Sequence, residues 1–362
     1  KGGLQFERYA NDVLSGALAP FVGLNWGLSY STLDDRTVTG AFGYYTWALG
    51  QTVGKIHSNN LGFYMQDSWT INDTLTLNLG VRTEKEDVPS FQEQYPGIHF
   101  GFQDKLAPRL GFAYDVAGNG RWKAYGSYGI FYDAMKLVVA RGLFGADRYV
   151  QHAYTLDTPD WMNINPPTTL PGRFIEDVDF RHVNNDPAHP EDGVVDPNLK
   201  PMKAMEFTVG LDRELDTVTS LGVRYVHKRV LRAIEDQGTL MPGVGEVYAV
   251  ANVGFGPVAR TSAGIDVANA LGQALPDPRQ PKAKRDYDGV EIRLRRRLSG
   301  NFAINTSYLW SRLWGNYSGL ASSDEQGRTT PNVNRFFDLV IMSFDQNGKP
   351  VYGHLQTDRP HQ

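Results

Sequence analysis

Cysteine is missing from the chain altogether, which rules out a disulfide framework and zinc sites built on thiolates. Long apolar runs are missing too. Nothing in the 362 residues approaches the roughly 20 consecutive apolar residues that a membrane-spanning helix needs. A hydrophobic fraction of 41% and a mean hydropathy of -0.39 agree in excluding a helical membrane protein. Neither sign of charge dominates: the formal net charge is -4 and the pI is near 6.1, so nucleic acid is not an expected partner. Catalytic signatures are scarce. Gly254-Phe255-Gly256-Pro257-Val258-Ala259 superficially fits a dinucleotide turn, but no strand–turn–helix unit surrounds it and Pro257 stiffens it. No phosphate-cradling Gly-Lys-Ser/Thr loop and no Gly-x-Ser-x-Gly elbow occurs, and His227 has no identifiable serine or acid partner in the sequence. The expectation is no enzyme and no cofactor.

What the chain does have is alternation. Leu75, Leu77, Leu79 and Val81 fall on one face of a strand, with Thr76, Asn78, Gly80, Arg82 and Glu84 on the other, because successive strand residues point to opposite faces. This strand and Leu61–Ile71 form a hairpin across Asn72-Asp73-Thr74. The plan recurs at Leu110–Val116 with Trp122–Tyr132, Met205–Leu211 with Thr219–Tyr225, and Val290–Leu294 with Phe302–Trp310. Less regular candidates precede them at Leu4–Tyr9, Phe21–Tyr30 and Ala41–Leu49. The hairpins close in a few residues, whereas the stretches between them, about 87–105, 133–202, 228–286 and 315–362, are long and polar. Short turns on one rim and long loops on the other are the plan of an outer-membrane barrel. The expected fold class is all-β, an antiparallel transmembrane barrel of the outer-membrane type, with residues 1–362 forming part of one barrel domain. Lys1-Gly2-Gly3-Leu4 already reads as strand without a secretory leader, and His354–Gln362 closes on polar residues, so the chain is expected to be a piece of a longer one.

The alternation assigns faces. Leu75, Leu77, Leu79, Val81, Phe207, Val209, Leu211, Val290, Ile292, Leu294, Ile304 and Tyr308 are expected to meet lipid. Arg82, Glu84, Glu206, Asp212, Arg224, Glu291 and Arg293 are expected to face the lumen or its mouth. In the run Arg293-Leu294-Arg295-Arg296-Arg297, structural placement is preferred to a polyanion site. Tyr44, Tyr45, Trp47, Trp69, Trp122, Tyr225, Tyr287, Trp310 and Trp314 suit interfacial girdles, set against the general preference of aromatics for strands. In the longest loop, Tyr149, Tyr154 and Trp161 accompany Glu176, Asp177, Asp179, Asp186 and Asp192. Aromatic faces with convergent carboxylates suit a cationic, sugar-like or peptide-like ligand; a loop that merely shields the mouth is the bland alternative. Whether acids of residues 173–198 hold calcium is open, since their spacing departs from the EF-hand pattern. His182 and His189 lack a third ligand, so no metal is assigned.

Tyr287-Asp288-Gly289-Val290-Glu291-Ile292-Arg293-Leu294 through Leu298-Ser299-Gly300-Asn301-Phe302 to Tyr308-Leu309-Trp310-Ser311 resembles a barrel hairpin of Oar-like TonB-dependent receptors. Phe63-Tyr64-Met65-Gln66-Asp67-Ser68-Trp69, Leu106-Ala107-Pro108-Arg109-Leu110-Gly111-Phe112, Asp196-Pro197-Asn198-Leu199-Lys200-Pro201 and Thr357-Asp358-Arg359-Pro360-His361 are similar to the same family. The resemblance covers roughly residues 60–362. It implies a barrel of twenty-two strands filled by a plug, and coupling to TonB through a periplasmic segment. Neither plug nor TonB segment matches anything here, and open sheet edges are not tolerated in lipid. The expected function is capture of an unidentified extracellular ligand and its energised import across the bacterial outer membrane. Expected partners are outer-membrane lipid and lipopolysaccharide, TonB through segments absent from this chain, and that ligand. A passive channel, a structural or adhesive envelope barrel, and a soluble sugar-binding β-sandwich are the rivals.

Overall fold

Strand follows strand with hydrogen-bonded turns that the sequence writes explicitly. The computed structural model describes residues 1–16, 19–91, 97–135, 137, 147–179, 195–196, 198–241, 245–252, 254, 282–315, 317, 339–344, 347, 350–352 and 359–360. The first six strands are β1 (Gly2–Gly16), β2 (Phe21–Trp26), β3 (Tyr30–Ser31), β4 (Thr37–Val38), β5 (Gly43–Asn72) and β6 (Leu75–Val88). Next come β7 (Ile98–Phe100), β8 (Ala107–Asp115), β9 (Trp122–Tyr132), β10 (Asp147–Leu156), β11 (Phe174–Asp179), β12 (Lys203–Glu214) and β13 (Thr219–Arg232). The rest are β14 (Glu235–Met241), β15 (Gly245–Ala251), β16 (Arg285–Ser299), β17 (Phe302–Gly315), β18 (Leu339–Phe344), β19 (Pro350–Tyr352) and β20 (Arg359–Pro360).

The main sheet has 14 strands, with the path β11-β10-β5-β6-β8-β9-β12-β13-β16-β17-β20 and with β1, β2 and β7 attached beside it. Every pairing in it is antiparallel. A second sheet, β15-β14-β18-β19, includes one parallel pair between β14 and β18. Among the described residues the main sheet does not close on itself.

Four tight turns share one rim. Asn72 Oδ1 accepts the N–H groups of Thr74 (3.0 Å) and Leu75 (2.8 Å), closing β5–β6. Asp216 Oδ1 accepts those of Val218 and Thr219, both at 2.8 Å, closing β12–β13. These are side chains mimicking a backbone turn. Between β16 and β17, Gly300 (φ 61°) and Asn301 (φ 63°) adopt the paired left-handed conformation whose twist matches a two-residue hairpin. Asp115 Oδ2 accepts Gly120 N–H at 2.6 Å in the β8–β9 turn. Antiparallel order then puts the connections β6–β8, β9–β12 and β13–β16 on the opposite rim.

The register holds one alternation across strands. Leu79 pairs with Leu110, Leu110 with Tyr128, Tyr128 with Phe207, and further on Val223 with Ile292 and Ile292 with Tyr308. Paired residues share a face, so these and the other apolar residues assigned to lipid form one continuous surface. It is exposed: Leu110 is 49%, Ile292 47% and Tyr308 61% accessible. An extended, exposed apolar surface of this kind calls for a lipid or protein neighbour.

Two expectations need revision. The candidates Ala41–Leu49 and Leu61–Ile71 are one 30-residue strand, β5. The polar stretch between them does not turn because Ser58, Asn59 and Asn60 pair with Tyr9, Arg8 and Glu7 of β1. The long connections also carry strands of their own: β10 and β11 lie within 133–202 and continue the main sheet beside the far half of β5, while β14 and β15 lie within 228–286.

Candidate functional site on the concave face

The face opposite the apolar surface is polar and concave. A hollow of about 820 Å³ opens on it, lined by Tyr64, Gln66, Asn78, Arg82, Arg109 and Ser127 among others. Arg82, Glu84, Glu206, Asp212, Arg224, Glu291 and Arg293 all fall on this face by register. All seven are paired: Arg82 with Glu84 (2.8 Å), Arg224 with Glu291 (2.7 Å), Arg293 with Asp212 (3.5 Å), and Glu206 with Lys228 (2.8 Å). Arg82 and Glu84 are neighbours along β6 and the other three pairs cross between strands, so the polar wall carries charge without leaving it uncompensated.

Towards the long-connection rim the wall runs into a buried network. Lys105, in a short 3-10 turn at Phe102–Lys105, has no solvent exposure, and its ammonium donates to Glu86, to Glu84 (3.2 Å) and to the Asp133 carbonyl (3.4 Å). The second oxygen of Glu86 accepts Met135 N–H at 2.6 Å. The base of the 133–202 connection is thereby fastened to β6. Beside it a small apolar core gathers Ile56, Val88, Phe100, Val195, Leu199 and Ile234. Asn252 then copies a strand edge, accepting Lys200 N–H (2.7 Å) and donating to the carbonyls of Lys200 (2.8 Å) and Ala233 (3.0 Å). Lys200 Nζ reaches Asp104 at 3.0 Å. None of this network is legible as a motif, because its members come from segments that read as separate loops.

The ligand candidates of the longest connection are placed as follows. Tyr154 stacks on Tyr45 (5.5 Å) and meets Phe174 edge-on (5.4 Å). Asp177 is engaged by His152 Nδ1 at 2.6 Å, and that imidazole lies 4.0 Å from Trp47 in a stack. Glu176 accepts Leu33 N–H, and burial, helped by a hydrogen bond to Glu176, pushes the Tyr30 hydroxyl up to about 12. Asp179 pairs in register with Val150, and Tyr149 with Gly50. Trp161 sits apart, 48% exposed, in a second 3-10 turn. Asp186 and Asp192 lie outside the described residues, as do Glu191, His182 and His189. Among the described residues no group of three or more metal-ligating side chains converges.

His227 does have an acid partner. Asp288 Oδ1 accepts from its Nδ1 (2.8 Å) and from the Tyr225 hydroxyl (2.6 Å), while Trp314 Nε1 donates to Oδ2 (3.1 Å). The two residues are 61 positions apart and meet only once β13 and β16 are in register. With Tyr225 and Trp314 the pair stitches β13, β16 and β17 together. On the same face Arg213 lies over Trp122 at 4.6 Å and Lys203 over Tyr132 at 5.9 Å, bounding the apolar surface with basic residues near either rim.

The outer membrane beta barrel domain family matches residues 33–351. The TonB-dependent transporter Oar of Myxococcus xanthus is 28% identical over 375 aligned residues, covering 100% of this chain and 32% of that protein. The chain thus spans about a third of the length of that relative. Among solved structures, the alcaligin outer membrane receptor FauA from Bordetella pertussis is similar with TM-score 0.37 and 11% identity, covering 87% of this chain and 40% of that one. The siderophore receptor PirA from Pseudomonas aeruginosa is similar with TM-score 0.36 and 11% identity, covering 87% and 46%. With an exposed apolar surface outside and a charged concavity within, the chain belongs to the outer membrane beta barrel domain family of the bacterial outer membrane.

Proposed function

We propose that this chain forms part of the wall and outer mouth of a TonB-dependent receptor that captures an extracellular ligand and imports it with energy supplied from the inner membrane. The observation that carries the reading is the two-faced register: an extended, exposed and predominantly apolar surface backs a polar, ion-paired concave wall. In this reading the tight-turn rim is periplasmic, the long connections are extracellular, and Arg82, Glu84, Glu206, Asp212, Arg224, Glu291 and Arg293 face the lumen. The open edges of the sheet are closed by further strands of the complete protein, since lipid leaves no unpaired backbone group satisfied. The similarity of this whole chain to about a third of a TonB-dependent transporter supports energy coupling over passive flow. The test uses the complete protein in two assays. It should bind the periplasmic domain of TonB in pull-down, and in a planar bilayer bathed in potassium chloride it should show no steady conductance. Steady conductance without TonB binding would establish a passive channel instead.

A further inference from the structure

Arg109 stands in a clearing on the concave face. Its register partners are Gly80 on β6 and Gly129 on β9, so no side chain flanks it on either neighbouring strand. Arg82 is close by on β6, opposite Ala107. Both arginines line the 820 Å³ hollow and also a recess of about 40 Å³ that Phe131 shares. Their circumstances differ. Arg82 commits two nitrogens of its guanidinium to Glu84, at 3.1 and 2.8 Å, and a third to Gln5. Arg109 has no carboxylate partner among the described residues; its guanidinium carbon lies 4.9 Å from the centre of the Phe131 ring. That ring in turn lies over Gly129, where an added Cβ would come within 2.9 Å of it. Gln66, Asn78 and Ser127 add uncharged hydrogen-bonding side chains, Lys1 also borders the hollow, and Glu84 and Lys105, bonded to each other, border the recess. Asp67 borders the hollow, but its pairing with Leu79 puts it on the apolar face.

We propose that Arg109, seated on Phe131 with Arg82 beside it, is an oxyanion-binding station in the lumen wall, taking a carboxylate or phosphate group of the imported ligand. The inference rests on the receptor reading above. A guanidinium presents its donors in a planar fork that matches both oxyanions, and stacking on an aromatic face holds that plane without consuming its hydrogen bonds. The glycines leave room for the group to approach, and the neutral amides and hydroxyl take the remainder of a polar ligand. The expectation of a cationic, sugar-like or peptide-like ligand rested on the loop carboxylates, of which Asp177 is engaged by His152 and Glu176 by the Leu33 amide.

The experiment is isothermal titration of the complete protein in detergent with inorganic phosphate and with tricarballylate, using the neutral triamide of tricarballylate as control. Saturable binding of at least one anion is expected, with none of the triamide, and the tighter anion identifies the group recognised. Arg109→Gln should weaken that binding by about tenfold or more, the loss expected for a charge-assisted pair. Arg109→Lys should retain part of it, and Gly129→Ala, which keeps the charge but crowds Phe131, should weaken it less than Arg109→Gln. Absence of saturable binding of either anion, equal binding by Arg109→Gln, or equal affinity for the triamide would each overturn the proposal. Binding in detergent needs no TonB, so the two readings fail separately. A passive channel with this station still binds anions, and a receptor without it binds TonB but neither anion.

Discussion

Gly210 of β12 lies beneath the ring of Tyr125 of β9: a Cβ at Gly210 would come 2.4 Å from Tyr125 Cζ. The ring fills the space that a side chain at 210 would need, and Lys123 Nζ sits 5.5 Å from its centre. Gly210→Val should swing Tyr125 off the wall and cost about 1–2 kcal/mol, the lower range of overpacking penalties because a ring can rotate away. Thermal unfolding in detergent measures the cost. An unchanged midpoint would mean that the ring is not packed as described.

The faces of the sheet make a sharper demand. Val209 lies on the apolar surface and pairs with Gly126, whereas Ser127, one residue on, lines the hollow. Val209→Arg should impair barrel assembly, at a cost of about 2–4 kcal/mol near mid-bilayer, and Ser127→Arg should be nearly silent. Heat-modifiable migration on a gel reports the folded barrel. Ser127 is a better control than Thr208, which is only 9% exposed and has little room for a long side chain.

Lys105 supplies the largest expected loss of stability. Lys105→Ala would leave Glu86, 1% exposed, without its cation. Removing one partner of a buried pair costs about 3–5 kcal/mol. Hydrogen exchange at the Met135 amide should also accelerate, because that N–H is held by Glu86. Loss of stability with Met135 exchange unchanged would disconnect the network from the loop base.

The β12–β13 turn carries a pH signature. Backbone N–H donation from Val218, with a further bond from Thr219, holds the Asp216 carboxyl below its ordinary value. A carboxyl lowered by folding contributes stability that is fully present above its unfolded pKa, about 3.9, and is lost as pH falls through the folded value. Asp216→Asn keeps the acceptor oxygen and has no titration. The difference between the two proteins should therefore be constant above about pH 5 and shift in favour of the variant in more acid solution. Denaturant unfolding across a pH series checks this, and parallel curves throughout would refute it.

Period-two alternation and turn residues made the hairpins legible. Asn72-Asp73-Thr74 and Leu298-Ser299-Gly300 end strands through local hydrogen bonding or left-handed backbone, both written in the neighbouring residues. β5 was not legible, because Ser58-Asn59-Asn60 resembles a turn when read alone and is a strand only in the company of β1. The mouth network was hidden for a related reason. Glu86 and Lys105 are 19 residues apart, and a burial of 0–1% depends on apolar residues as distant as Val195 and Ile234. The contact between His227 and Asp288 lay within reach, since their parity with Tyr225 and Val290 follows once the two hairpins are aligned. Arg109 carried no signal at all; its freedom comes from glycines on two other strands.

The length of β5 limits how the mouth can move. From Gly43 to Thr70 each residue has a partner on at least one edge, passing from β2 and β10 to β1 and then to β6. Hinges need backbone free to change its dihedral angles, and this strand offers none between Trp47 and Trp69. The aromatic layer around Trp47, His152 and Tyr154 is therefore a fixed mast on the rim.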